Sequence, residues 1–115
     1  MRNKKVSEMN SESKKKAKLN GKWYTRVETE GHIRYLRKDG SVLLMIWKLG
    51  GEERWFNRGN RNHRIGAPSI IRPDGSEIWH RNGKCHRDDG PAIIWSDGER
   101  SWYKKGKCVT KRYPK

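Results

Sequence analysis

Trp79-His80-Arg81-Asn82-Gly83-Lys84-Cys85-His86-Arg87-Asp88-Asp89-Gly90-Pro91-Ala92-Ile93-Ile94-Trp95-Ser96-Asp97-Gly98-Glu99-Arg100-Ser101-Trp102 is the stretch whose reading decides the fold. A looser copy precedes it from Trp55, and a third begins with Trp102-Tyr103-Lys104-Lys105-Gly106-Lys107-Cys108 before the tail interrupts it. Trp55, Trp79 and Trp102 lie 24 and 23 residues apart. His63 and His86 are 23 apart, as are Pro68 and Pro91, Ile70-Ile71 and Ile93-Ile94, Asp74-Gly75 and Asp97-Gly98, and Cys85 and Cys108. The first copy carries one extra residue between Gly59 and His63. Coincident spacing at this many positions marks a repeat chain, in which each unit is stabilised by its neighbours.

Each unit holds two kinds of turn. Asn82-Gly83 supplies the positive φ angles that a two-residue type I′ hairpin needs. Arg58-Gly59 and Lys105-Gly106 hold the equivalent place. The second kind, Asp74-Gly75 and Asp97-Gly98, joins an apolar run to the next Trp-bearing strand. Turns this close together leave room for short strands and for no helix of useful length. The expected fold is all-β, an antiparallel meander of hairpin repeats with a period of about 23–24 residues. Upstream, Lys22–Glu28 alternates as a strand, Glu30-Gly31 is a turn, 32–37 a strand, and Lys38-Asp39-Gly40 a turn. Val42–Trp47 is the most apolar run and is expected to be the most buried strand. Gly50-Gly51, 24 residues before Asp74-Gly75, reads as a degenerate repeat turn.

The pattern W-[YF]-x-N-G-K-x-H-R-x-D-G-P-A-[VI]-I-x-x-D-G resembles a repeat of small proteins from tailed bacteriophages and large DNA viruses, and is distantly similar to MORN repeats. Residues 79–102 carry it well. Residues 55–78 carry it with Ile65-Gly66-Ala67-Pro68 in place of D-x-D-G-P, and 23–54 only loosely. The resemblance implies an elongated antiparallel sheet and a viral origin; with no secretory signal in the sequence, the expected location is the cytoplasm of the infected host cell. The resemblance implies no activity.

Only 31% of residues are hydrophobic and 36% are charged, too little apolar material for a thick two-layer core. Six Trp are the exception, and large flat rings suit a thin sheet. Residues 1–22 hold eight basic and two acidic residues, and read as a basic, disordered arm, with a Lys-rich helical turn over 7–19 compatible with Ser7 or Ser11 as cap. The repeat domain then spans 23–115: a degenerate repeat at 23–54, clear repeats at 55–78 and 79–101, and a partial one at 102–115. There is no apolar run near membrane-spanning length, no amphipathic helix and no secretory signal, so no membrane partner is expected.

The net charge of +15 calls for an anionic partner. RNA is preferred over DNA, free or in a host nucleoprotein complex, with no catalysis and no cofactor. The candidate contacts are Lys4, Lys5, Lys14, Lys15, Lys16 and Lys18 of the arm, and Arg58, Arg61, Arg64, Arg81, Lys84, Arg87, Lys104, Lys105 and Lys107 of the repeats. Arg64 with Arg87, and Lys84 with Lys107, are expected to align as ladders. Trp55, Trp79 and Trp102 are expected in the core, leaving base stacking to Tyr24, Tyr35, Phe56, Tyr103 and Tyr113. His63, His80, His86, Cys85 and Cys108 lack the close paired spacing of a zinc site, and packing is expected there rather than a metal or a disulfide. His86 is expected to hydrogen-bond a turn carboxylate, and Asp88 and Asp89 to cap that turn and pair with Arg87. A Cys85–His86–Asp constellation for catalysis lacks an enclosing cleft. Two alternatives remain: a protein-interaction module inhibiting a host enzyme or defence complex such as a CRISPR effector, and a genome-binding protein packaged in the virion. Open sheet edges also offer strand-paired homodimers.

Overall fold

A computed structural model describes residues 12–112, with side chains to Val109. The described residues contain twelve strands and no helix. They are β1 (Ser13–Leu19), β2 (Lys22–Glu28), β3 (His32–Leu36), β4 (Val42–Trp47), β5 (Glu53–Trp55), β6 (Ile70–Ile71), β7 (Glu77–Ile78), β8 (His80–Arg81), β9 (Lys84–Cys85), β10 (Ile93–Ile94), β11 (Arg100–Lys104) and β12 (Lys107–Arg112). Ten of them form one antiparallel sheet in the order β1-β2-β3-β4-β5-β6-β7-β10-β11-β12, and β8 and β9 pair separately. The protein is therefore an all-β meander, elongated to 60 × 28 × 23 Å. Ten strands at about 4.8 Å spacing account for most of that length.

Turn chemistry sets the path. Asn20-Gly21, Asn82-Gly83 and Lys105-Gly106 all have positive φ at both positions, the type I′ geometry that matches strand twist. The Asp-Gly turns are three-residue loops. In each, Gly40, Gly75 or Gly98 adopts positive φ and donates back three residues, to Arg37, Arg72 or Trp95. The preceding Asp39, Asp74 or Asp97 carboxylate accepts from the backbone N–H two residues on. Gly50 and Gly51 turn the chain between β4 and β5, both at positive φ.

Within the repeats the chain leaves the sheet and returns. Trp79 donates its N–H to Ala92 in the sheet and accepts at its carbonyl from His86, at the base of the β8–β9 hairpin. Trp55 is used the same way, between Ser69 and His63. Each clear repeat thus gives two sheet strands and one side hairpin. The pairings Arg54↔Ile70, Ile70↔Ile78, Ile93↔Ile78 and Ile93↔Ser101, extended by one residue, set Trp55, Ser69, Trp79, Ala92 and Trp102 in one cross-strand row. Large and small residues alternate along it, and Ser69 and Ala92 are fully buried between the indoles. The opposite face carries Ile70 and Ile78, both buried. This row runs through the core of the repeat half, where Trp55 is buried as expected while Trp79 and Trp102 are only half-buried.

Three expectations need correction. Residues 13–19, read as arm, form β1, paired with β2 over seven positions from Ser13↔Glu28 to Leu19↔Lys22. Composition argued for disorder, but Asn20-Gly21 is a hairpin signal that closes the strand onto its neighbour. No helical turn forms over 13–19, and the described sheet begins at β1; the part of the arm at 1–11 lies outside the described residues. The Lys-rich β1 is an edge strand, and its charges oppose pairing with a second copy. Second, β4 lies inside the sheet, yet only Leu44 is buried along it, because a single layer leaves both faces half open. Third, Arg58-Gly59 is not the equivalent of Asn82-Gly83. The extra residue makes a three-residue loop, in which Asn57 accepts from Asn60 and Asn60, not Gly59, takes the positive φ.

Candidate nucleic-acid interface

Strand alternation sorts the turns onto two long edges. Turns 20–21, 37–41, 57–61, 82–83 and 105–106 fall on one, and turns 29–31, 48–51, 72–76 and 95–99 on the other. The acids sort with them. The second edge is mixed: it holds Glu28, Glu30, Glu52, Glu53, Asp74, Glu77, Asp97 and Glu99 together with Lys48, Arg54, Arg72 and Arg100. The first carries Lys18, Lys22, Lys38, Arg58, Arg61, Arg81, Lys84, Lys104, Lys105 and Lys107, all exposed. Its acids among the described residues are Asp39, Asp88 and Asp89, and each has a partner. Asp39 accepts from Ser41 and Arg58, Asp88 accepts from His86 and forms an ion pair with Arg81, and Asp89 accepts from Arg87. The Ser41 hydrogen bonds, then Arg58, hold the Asp39 carboxyl below its usual range, and the His86 bond, then Arg81, does so for Asp88.

The repeat tips on this edge are fastened to one another. His63 Nδ1 accepts from the Asn82 N–H at 2.9 Å, and His86 Nδ1 accepts from the Lys105 N–H at 2.9 Å. Gly83 donates its N–H to Asn62, and Gly106 to Cys85. A backbone amide only donates, so Nδ1 of His86 is bare. Its Nε2 carries the proton and donates to Asp88 at 2.9 Å. The Arg61 stem lies over Gly83 and the Lys84 stem over Gly106, aligning Arg61, Lys84 and Lys107 along successive tips. Between the second and third tips is a groove of about 390 Å³ lined by Arg61, Arg81, Asn82, Lys84, His86 and Lys105. No carboxylate lines it. Two-strand periodicity sets neighbouring tips about 10 Å apart.

The expected contact residues divide into three groups. Arg58, Arg61, Arg81, Lys84, Lys104, Lys105 and Lys107 share the cationic edge. Lys14, Lys15, Lys16 and Lys18 are exposed on β1, with Lys18 Nζ 5.4 Å from the Trp23 ring centre. Arg64 and Arg87 do form a ladder, but one turned inward. Each guanidinium stacks on its repeat Trp, Arg64 on Trp55 and Arg87 on Trp79, both at 3.8 Å. Each also donates to a proline carbonyl, Pro68 or Pro91. Burial pulls the Arg64 pKa down. Both side chains are committed to the core face, so the H-R step serves packing. Lys4 and Lys5 lie outside the described residues, as does Tyr113. Tyr24, Tyr35, Phe56 and Tyr103 are half-buried.

His86 meets the carboxylate of Asp88, as expected, and Asp89 pairs with Arg87, while Asp88 reaches Arg81 instead. Both ring nitrogens of His86 are thereby engaged, and neither faces Cys85 as a base. Burial, with a smaller contribution from Cys108, pushes the Cys85 thiol up to about 11. Among the described residues, no group of three His, Cys, Asp or Glu side chains converges to hold a metal ion.

Three contributors were not picked out as contacts from the sequence. Lys22, Lys38 and Trp23 gather with Lys16 around a cleft at the β1–β2 end of the same edge. The sequence places Trp23 in the degenerate repeat, and the cleft that the ring lines depends on β1, whose composition reads as an arm. The Asn20-Gly21 turn was the available signal.

Neither a family model, a curated protein nor a solved structure matches the chain.

Proposed function

We propose that this protein is a non-catalytic binder of nucleic acid, RNA before DNA, which tracks a phosphate backbone along its cationic edge. The observation that carries the reading is the segregation of charge. One edge of an elongated sheet presents cations at every tip, and the other collects most of the acids. The opposite edge balances its acids with Lys48, Arg54, Arg72 and Arg100, so the excess positive charge faces one way and orients the chain on a polyanion. The groove between the tips adds Asn82 and the exposed cations Arg61, Lys84 and Lys105, while Asp88 engages Arg81, so a phosphate meets donors from two successive repeats at once. Placing that action inside an infected cell rests on the repeat resemblance, which speaks to origin and not to activity.

The test is binding of the full chain to RNA, single-stranded DNA and duplex DNA across a salt series. It is repeated with Arg61→Ala, Lys84→Ala and Lys105→Ala combined, and with Lys48→Ala on the opposite edge as control. Each lost phosphate contact removes about 0.7 from the log–log salt slope on a single strand, so the triple variant should lose roughly 2. Lys48→Ala should change nothing. An unaltered slope in the triple variant sinks the edge as the binding surface. Should the full chain instead bind none of the three at low salt, while a nuclease-resistant complex is recovered from cells, the partner is an acidic protein.

A further inference from the structure

Trp23 differs from the other Trp whose place the repeat explains. Trp55 is 7% exposed in the cross-strand row, whereas Trp23 is 59% exposed. The β1–β2 register sets Trp23 opposite Lys18 and Thr25 opposite Lys16. Tyr24 and Arg26 point to the other face, the one that carries the Trp row through Arg26↔Tyr35, Tyr35↔Leu44 and Leu44↔Trp55. Trp23 is thus on the face away from that row, where no repeat partner covers it. Around it lies a cleft of about 680 Å³, lined by Lys16, Lys22, Trp23 and Lys38. Lys18 stands 5.4 Å from the ring. These residues come from β1, β2 and the β3–β4 turn, so the cleft exists only because β1 folds back on β2. Asp39, the acid next to Lys38, is held by Ser41 and Arg58.

We infer that this cleft takes one unpaired base of a single-stranded nucleic acid, stacked on the Trp23 indole with its flanking phosphates on Lys16, Lys22 and Lys38. The inference rests on the nucleic-acid reading above and adds to it a preference for unpaired strands. The chemistry is general: any base offers a π face to an exposed indole, and cations at the rim neutralise the phosphates on either side. A duplex keeps its bases stacked on one another and leaves the ring unused. A protein with only a cationic edge would not distinguish a base-bearing strand from a bare sugar-phosphate one; this cleft would.

The experiment uses the full chain with fluorescently labelled oligo(U) of about 12 nucleotides, within the usual site size, and an abasic oligomer of the same length. Trp23→Ala and Trp23→Phe are compared with the unaltered protein, with circular dichroism to verify the fold. Trp23→Ala should weaken oligo(U) binding by about fivefold to a hundredfold, the range of one base stack. Trp23→Phe should recover most of that loss. The abasic oligomer should be bound more weakly than oligo(U), and equally by all three proteins. Equal oligo(U) binding by Trp23→Ala and the unaltered protein overturns the inference while leaving the cationic edge standing. So does a loss that is the same for oligo(U) and the abasic strand. Failure of the unaltered protein to bind either oligomer overturns the nucleic-acid reading itself, and this one with it.

Discussion

His63 and His86 occupy the same place in successive repeats, so the protein contains its own control for what this histidine does. In each case Nδ1 accepts from the first turn residue of the next tip, Asn82 or Lys105, at 2.9 Å. Their surroundings differ. His86 is buried, at 9% exposure, and Asp88 fixes its tautomer from the Nε2 side. His63 is half-buried, and the amide it serves is at the exposed surface. Replacing His86 by Ala leaves the Lys105 N–H short of a partner, at about 1–2 kcal/mol. It also opens the space of a buried ring, at about 1 kcal/mol more. The sum is about 2–3 kcal/mol. His63→Ala lets water take over the Asn82 amide and should cost about 0.5–1 kcal/mol. In a domain of this size 1 kcal/mol moves Tm by roughly 4–6 °C. His86→Ala should therefore lower Tm by about 10–15 °C, and His63→Ala by about 5 °C or less. Thermal unfolding followed by far-ultraviolet circular dichroism, with urea titration as a second measure, reads both. Equal losses would refute the reasoning, since burial would then have no part in the difference. A small loss at His86 would show that the inter-repeat bond is not what holds the third tip to the second.

The stacking of the tips makes a second comparison. Gly21 and Gly83 both take the second position of a type I′ turn, at φ +82 and +86. A Cβ at Gly21 meets nothing within 4 Å, while one at Gly83 meets the Arg61 stem at 3.2 Å. Gly21→Ala should cost about 1–2 kcal/mol from the left-handed backbone alone, and Gly83→Ala measurably more in urea unfolding; equal values would place Arg61 away from the turn. The third expectation concerns pH. Burial, then the charge of Arg54, lowers the His80 pKa, and His80 Nδ1 shares a 2.7 Å hydrogen bond with Ser69 Oγ. The unfolded chain takes up a proton near pH 6.5 that the folded chain refuses, so this contribution is complete above that pH and is lost as pH falls toward the lowered folded value. The urea midpoint should drop between pH 7.5 and 5, and His80→Gln should flatten the drop; an unchanged slope in the variant would remove His80 as its source.

How much could be read from the chain depends on the range of the interaction. Asn82-Gly83, Lys105-Gly106 and the Asp-Gly pairs specify their turns through φ, a property of one or two residues, and these turns formed as read. The spacing of Trp55, Trp79 and Trp102 indicated a shared core because repeats in a meander fall in register. What composition obscured was β1: a Lys-rich segment looks unable to bury anything, yet an edge strand needs only a turn and a partner. Arg64 and Arg87 were legible as a ladder but not as one facing inward, since their direction depends on how the chain re-enters the sheet between Trp and Pro.

The sequence by itself determined the repeat, the strand-and-turn alphabet, the absence of a thick core and the excess of positive charge, because each is local or additive. The tertiary structure alone decided where that charge stands. A turn's edge depends on the number of strands before it, and side hairpins such as β8–β9 shift that count without changing any local pattern. Once the strands are laid antiparallel, the tips with Asn20, Asn57, Asn82 and Lys105 share one edge with the cations, and most of the acids are carried to the other. The cleft at Trp23 follows from the same fact, because β1 must first fold onto β2 before there is a cleft for that ring to line.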